Sequence, residues 1–282
     1  MAKASQVSHN AGGMIARRDL ITRLQSRSEL SPTCFRLELA SGQPFAADPG
    51  QFGMLACADG LDPLLRRPFS LGGVRPHGGG AVIELLVKEV GKGTALLRRL
   101  PLGSELRLLA PLGNAFTLAT TSRLALVAGG IGLPPVLFAA ERLAALGSAF
   151  DLYLGAATAV ELLELDRCAA AVAASGGELV VTTDDGSRGE QGFVTMALAG
   201  RIAAGRRYGR VLACGPTPML AALTRLAHEV GLDAELSLEE PMACGLGVCL
   251  SCVVEQADGY RVPTCTHGPV FSTAALAPEW WR

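Results

Sequence analysis

The sequence predicts a multi-domain α+β fold: an antiparallel β-barrel, an α/β nucleotide-binding domain with a parallel sheet, and a small C-terminal cysteine domain. Three observations predict it. Short alternating runs between turn formers fill the first part. Apolar runs alternating with helical stretches fill the middle. Four of the eight cysteines crowd into the chain after residue 243.

The composition agrees. At 282 residues, 49% hydrophobic and 18% charged, the chain has room for two domains and a small third, at about 150 residues each. It is too apolar and too weakly charged for a disordered chain. A net charge of −1 argues against a polyanionic partner, so no nucleic acid is expected.

Residues 1–19 are polar, small and without period, and read as a flexible N-terminal tail. They lack the apolar core and small-residue cleavage site of a secretory signal. Residues 124–140 carry no charge and approach the length of a membrane span. Gly129-Gly130, Gly132 and Pro134-Pro135 instead divide that segment into a strand, a turn and a helix start. The expectation is a soluble, cytoplasmic protein with no membrane partner. Cysteines in such a chain are not expected to pair as disulfides. The scattered Cys34, Cys57, Cys168 and Cys214 read as small buried hydrophobes.

The barrel is placed over residues 20–120. Cys34-Phe35-Arg36-Leu37-Glu38-Leu39 alternates, as does much of 81–87, and turns are expected at Asp48-Pro49-Gly50, Gly72-Gly73, 77–80 and Pro101-Leu102-Gly103. One helix is expected over 93–99. The α/β domain is placed over 121–232. Leu124-Ala125-Leu126-Val127 is a continuous apolar run suited to a buried parallel strand. Helices are expected over 134–146, 159–174 and 218–230, and strands over 150–154, 178–182 and 210–213. Residues 233–282 form the cysteine domain.

Cys244-x4-Cys249-x2-Cys252, followed by Cys265, has the spacing of plant-type [2Fe–2S] ligands. Four thiolates must converge on two irons, and Gly245 and Gly247 let the backbone wrap closely around the sulfurs. A zinc site is the alternative, but zinc ribbons usually carry two Cys-x2-Cys knuckles. His267 is a further ligand candidate, or a surface histidine.

Arg67-Pro68-Phe69-Ser70 suits a flavin nucleotide: an arginine for the diphosphate, an aromatic ring for the isoalloxazine and a hydroxyl for its edge. Gly91-Lys92-Gly93-Thr94 leads into a helix N-terminus and reads either as a phosphate turn or as an ordinary cap. Two Gly-rich turns follow parallel strands: Gly129-Gly130-Ile131-Gly132-Leu133-Pro134-Pro135 and Cys214-Gly215-Pro216. In a doubly wound sheet both face one dinucleotide crevice. Asp184-Asp185-Gly186-Ser187 either closes over the nucleotide or is a solvated turn. A 2′-phosphate would want an arginine after Ala156-Ala157-Thr158; the nearest is Arg167, well along the next helix, which favours NAD over NADP.

Taken together, these motifs, with Thr183 before Asp184, Met242-Ala243 before Cys244 and Cys265-Thr266-His267-Gly268-Pro269-Val270-Phe271 at the end, resemble the electron-transfer subunits of NAD-dependent (class 1B) dihydroorotate dehydrogenase. The wider group is the ferredoxin–NADP reductase-like flavoproteins. The resemblance spans residues 20–271. It implies a barrel binding FAD through Arg67, Pro68, Phe69, Ser70, Leu86, Val87, Lys88, Gly93 and Thr94. It implies an α/β domain taking NAD(H) as substrate, with Gly129, Gly130, Gly132, Asp184, Cys214, Gly215 and Pro216 as candidate contacts. Cys244, Cys249, Cys252 and Cys265 would hold a [2Fe–2S] cluster docking on an FMN-containing catalytic subunit, as a heterotetramer of two of each, in pyrimidine (UMP) biosynthesis. The sequence departs from the group at Phe69 (usually Tyr), Ala128 (often Gly) and His267 (usually acidic). No acid–base catalytic residue is expected, because hydride transfer needs none.

Two rival readings carry other consequences. One keeps the cofactors but serves another acceptor, such as ferredoxin or a sulfur-reducing complex. The other is a non-enzymatic redox or zinc sensor, which leaves both phosphate-type turns without a purpose.

Overall fold

A computed structural model describes residues 17–58, 60, 62–119 and 121–281. The expected tail therefore lies almost wholly outside the described residues, and the first strand already begins at Arg18.

The first sheet is antiparallel, in the order β4-β3-β7-β1-β2-β6-β5. Its strands are β1 (Arg18–Glu29), β2 (Cys34–Ser41), β3 (Phe52–Leu55), β4 (Arg67–Ser70), β5 (Gly73–His77), β6 (Gly80–Lys88) and β7 (Glu105–Leu112). The alternation of β1 and β2 sends Leu20, Leu24, Phe35, Leu37 and Leu39 into one core with Ile83, Leu85 and Val87. The sheet rolls until β4 lies against β6. Helix α1 (Lys92–Arg99) adds Leu97 to that core. Gly73, expected in a turn, instead opens β5.

The second sheet runs β11-β10-β9-β8-β12-β13-β16 and is parallel except for its last strand. It comprises β8 (Leu124–Gly129), β9 (Phe150–Ala156), β10 (Leu179–Thr183), β11 (Glu190–Gln191), β12 (Arg210–Cys214), β13 (Ala234–Ser237) and β16 (Val270–Ser272). Helices α2 (Leu133–Ala145), α3 (Leu165–Ser175), α4 (Val194–Ala203) and α5 (Thr217–Val230) cover it, with separate apolar cores on its two faces. Since β8 lies between β9 and β12, the chain reverses winding there, which is where an open α/β sheet leaves its crevice.

Two differences from the sequence reading matter. The helix expected over 159–174 is a 3₁₀ turn, Ala159–Glu161, followed by α3; Glu164 at φ 52° is left-handed and separates them. The expected division at residue 232 is crossed by the sheet: β13 and β16 belong to it, burying Leu236 and Phe271 in its core. Between them lie the cysteine loop, the hairpin β14 (Val253–Glu255) and β15 (Arg261–Pro263), and the single turn α6 (Thr264–His267).

Candidate functional site

Two crevices meet at the junction of the sheets. The first has a volume of about 510 Å³ and is lined by β4, by Leu86 and Lys88, by residues 90–94, and by Ser237 to Met242. All four residues of β4 are half-buried. As an edge strand paired only with β3, β4 can present Pro68, which donates no hydrogen bond, without breaking a ladder. Arg67 donates Nη1 to the carbonyl of Leu65 at 2.8 Å, which fixes its guanidinium beside Gly93. A Cβ on Gly93 would stand 3.4 Å from Arg67 Nε and 3.3 Å from Cys57 Sγ, so a side chain there would crowd both. Thr94 Oγ1 accepts the amides of Val90 and Gly91 at 3.0 and 3.2 Å and donates to the Gly91 carbonyl. Its hydroxyl builds the turn, and the N-terminal amides of α1 are left to meet an anion.

Of the residues expected at a flavin, Arg67, Pro68, Phe69, Ser70, Leu86, Lys88, Gly93 and Thr94 line this crevice. Val87 does not: strand alternation turns it into the barrel core. Glu239 and Glu240 also line it. Burial pushes both carboxyls above the ordinary range. Their only mark in the sequence is adjacency to the cysteine loop.

The second crevice, also about 510 Å³, opens at the carboxyl ends of β8, β9 and β12. Gly129, Gly130, Asp184 and Pro216 line it, with Gly155, Ala156, Ala157, Glu161 and Met219. Gly130 holds φ at +51° in the turn. Gly132, Cys214 and Gly215 are placed behind the wall. A Cβ on Gly132 would come within 2.5 Å of both the Cys214 carbonyl carbon and the Gly215 nitrogen, so glycine is what lets the two turns touch. Ser187 donates to Asp185 Oδ1 through its amide and its hydroxyl at 2.9 and 2.6 Å, and its oxygen accepts the Ala159 amide at 2.8 Å. That ties the Asp184 turn to the loop after β9, and the Ser187 bonds hold the Asp185 carboxyl below the usual range. Phe193, 62% exposed on the lip before α4, was not legible in the sequence. Arg167 is unavailable to a nucleotide phosphate, since Glu84 and Glu141 hold it at 2.8 and 2.9 Å.

The four cysteines are all free thiols. Cys252 and Cys265 are buried among Phe52, Met54 and Leu112 of the barrel, while Cys249 is exposed. Gly245 and Gly247 adopt φ +69° and +81°, and Leu250 follows at +57°. A Cβ on Gly245 would meet Met54 Cγ at 2.6 Å, so the loop is pressed onto the barrel. The amide of Gly247 points at Cys265 Sγ at 3.2 Å and that of Leu246 at Cys244 Sγ at 3.3 Å. The Ser251 hydrogen bond pulls the Cys249 thiol down to about 6, whereas burial, with Cys252 alongside, pushes Cys265 up to about 12. Among the described residues no three His, Cys, Asp or Glu side chains already converge at metal-binding separations. The fit to a cluster rests on the donor set: amides aimed at sulfur stabilise thiolate charge, as an iron–sulfur centre requires. His267 is exposed, with Nδ1 3.1 Å from Thr266 Oγ1.

The lining is shared across these sites. Lys88 and Ile131 line both crevices. Phe52 and Met242 line the first crevice and also pack with Cys252 and Cys265.

Residues 239–277 match the iron–sulfur cluster binding domain of dihydroorotate dehydrogenase B, and residues 126–225 match the oxidoreductase NAD-binding domain. The electron transfer subunit of dihydroorotate dehydrogenase B (NAD(+)) from Desulforamulus reducens is 38% identical over 239 residues, covering 83% of this chain and 86% of the relative. The chain belongs to that family. The Geobacillus thermodenitrificans subunit of the same name is 39% identical, covering 82% of this chain and 88% of its own length. A chain of the NADH-dependent reduced ferredoxin–NADP oxidoreductase superposes with a TM-score of 0.81 at 27% identity, covering 95% and 92% of the two chains. A ferredoxin reductase of carbazole 1,9a-dioxygenase, 20% identical with a TM-score of 0.68, shares the fold. The chain is therefore an oxidoreductase subunit whose fold and domains serve FAD, NADH and an iron–sulfur cluster. No helix among the described residues is long and apolar enough to cross a membrane.

Proposed function

We propose that this dihydroorotate dehydrogenase B electron transfer subunit passes electrons between NADH and an FMN-containing catalytic subunit, by way of FAD and a [2Fe–2S] cluster. The complex is a cytoplasmic heterotetramer of two copies of each chain, acting in UMP synthesis. The observation that carries the reading is the shared lining: Lys88 and Ile131 separate the nucleotide crevice from the flavin crevice, and Phe52 and Met242 separate the flavin crevice from the cysteines.

A bound flavin supplies the exchange between a two-electron hydride donor and one-electron carriers. The residues here position that exchange. Arg67 and the start of α1 supply positive charge and amides for a diphosphate. Phe69 offers a ring and Ser70 a hydroxyl within the crevice wall. The Gly129 and Pro216 turns, brought together by Gly132, form the floor on which a dinucleotide lies. Cys244, Cys249, Cys252 and Cys265 hold the cluster, Cys252 and Cys265 from the barrel side. The exposed Cys249, between exposed Val248 and Leu250, faces the outside acceptor.

The test is anaerobic mixing of the FAD- and iron-loaded chain with NADH. Flavin absorbance bleaches in a single turnover, and material co-purified with its partner reduces NAD with dihydroorotate. Cys249→Ser abolishes the second reaction and keeps the first. Unchanged flavin absorbance in the parent chain refutes the reading.

A further inference from the structure

Strand β6 shows two faces. Ile83, Leu85 and Val87 enter the barrel core, so Glu84, Leu86 and Lys88 face the α/β domain. These three make unlike contacts. Glu84 is buried and accepts Arg167 at 2.8 Å. Leu86 is packed into the apolar core that covers the second sheet. Lys88 ends the strip at the mouth of both crevices, with Nζ 3.8 Å from Glu161 Oε1. One end of the domain junction is thus a buried charge contact supported by several partners. The other is a long ion pair whose side chains are 41% and 39% exposed. A pair of that kind is held weakly, and a stronger anion replaces it.

The lining of the second crevice supplies the reason for a replacement. Among the described residues its charged side chains are Lys88, Glu161 and Asp184, so Lys88 is the single cation there and Glu161 already engages it. A nicotinamide dinucleotide brings a diphosphate, and a lysine ammonium binds phosphate as a point charge. Glu161 sits on the 3₁₀ turn Ala159–Glu161, which Ser187 fastens to the Asp184 loop, so its carboxylate is presented by backbone that holds its place.

Resting on the reading that this crevice takes NADH, we infer that Glu161 is a stand-in for the coenzyme's diphosphate. Its carboxylate holds the Lys88 ammonium across the domain junction until the diphosphate takes it over. Glu161 thereby sets how readily the coenzyme binds and leaves, and Lys88 serves the dinucleotide as well as the flavin crevice. The sign of the effect separates this from a structural clasp. Removing a competitor tightens coenzyme binding, whereas loosening a clasp weakens it.

The experiment is calorimetric titration of the FAD-loaded chain with NAD(+), with ADP-ribose, which keeps the diphosphate, and with adenosine, which lacks it. Glu161→Gln tightens NAD(+) and ADP-ribose by about 3- to 10-fold and leaves adenosine unchanged, as expected for one freed cation–phosphate contact. Lys88→Gln weakens NAD(+) by about 10-fold, and in that background Glu161→Gln changes the affinity by less than about 2-fold, because the two residues act as one unit. Flavin absorbance per chain stays constant in Glu161→Gln, and the affinities of the Lys88→Gln samples are expressed per bound flavin. The inference is overturned if Glu161→Gln leaves NAD(+) binding unchanged or weakens it, if its effect is as large without Lys88, or if Lys88→Gln loses flavin while keeping NAD(+) affinity. The bleaching of flavin by NADH in the parent chain separates the two levels. With bleaching intact, those outcomes remove only this inference; without it, the electron-transfer reading falls and this inference with it.

Discussion

The α/β domain and the cysteine loop hold their shapes in different ways. β8 and β9 are buried at every residue, and cores on both faces of their sheet close over them. The cysteine loop has almost no apolar interior. Leu246, Val248 and Leu250 are 43, 77 and 60% exposed, and its turns depend on two left-handed glycines and amides aimed at sulfur. Burial sets the first shape without help. The second is specified for a ligand, since the thiolates a metal draws together repel one another unless that cation holds them.

The largest expected break of that comparison comes at Cys252. Cys252→Ser removes a buried ligand and leaves the α/β sheet untouched. Iron content and dihydroorotate-linked NAD reduction fall by at least about 100-fold, while NADH-to-dye activity through the flavin stays within about 2-fold. Equal loss of both activities would show that the two regions do not stand independently.

The converse break is Asp151. Its side chain is completely buried at the start of β9, where Arg123 donates at 2.9 Å, Arg206 at 2.7 Å and Tyr208 at 2.8 Å, with the Glu178 amide at 2.9 Å. Burial pushes this carboxyl up, but the bonds from Tyr208 and Arg206 outweigh it and hold it below the ordinary value. Asp151→Asn leaves two arginines facing a neutral group and costs about 3 kcal/mol by denaturant unfolding at pH 7. A lowered carboxyl contributes stability above its unfolded pKa of about 3.9 and loses it as pH falls through the still lower folded value. The parent and variant curves therefore converge below about pH 4. Iron content is unaffected.

Gly132→Ala sharpens the comparison within the α/β domain. The methyl group meets the Cys214 carbonyl carbon and the Gly215 nitrogen, which are backbone atoms and cannot rotate away. The two turns separate, at a cost of about 2 kcal/mol in thermal unfolding. KM for NADH rises, and flavin content does not change.

How much was legible follows the same division. The cysteines could be read because their spacing is a one-dimensional property, and β8 because six successive buried residues leave an apolar run. The resemblance carries Leu86, Val87 and Lys88 over as a run, but strand alternation sends the Val87 side chain into the barrel core and leaves Leu86 and Lys88 on the crevice face. The helix expected over 159–174 failed at Glu164, where a left-handed residue gives no compositional warning. β13 and β16 are four and three residues long and pair across the whole cysteine segment, so no local pattern marks them. Phe52 reaches the site only through tertiary closure, which leaves nothing to read in sequence, and Glu239 and Met242 are marked there only by lying beside the cysteine motif.

The smallest expected effect tests how the two regions are joined. Asn114, just past β7, donates Nδ2 to the carbonyls of Val270 and His267 at 2.8 and 3.2 Å, and its Oδ1 accepts the Val270 amide at 2.9 Å. Its own amide donates to the Gly268 carbonyl at 2.7 Å. The side chain thus staples the barrel to the segment between Cys265 and β16, adding directed bonds to the apolar contacts of Phe52, Met54 and Leu112 with Cys252 and Cys265. Asn114→Ala leaves the backbone groups of the buried Val270 without their partners and costs about 1 kcal/mol. Asn114→Asp keeps the acceptor for the Val270 amide but sets a carboxylate against two carbonyls, and it is the more damaging of the two. Stopped-flow reduction with NADH separates the steps: flavin bleaching keeps its rate in Asn114→Ala, whereas reduction of the iron–sulfur centre slows by a few-fold, because the staple holds the cluster's lobe against the flavin's barrel. If both steps keep their rates, Phe52, Met54 and Met242 suffice to seat the lobe, and its dependence on directed hydrogen bonds is weaker than its exposed loop implies.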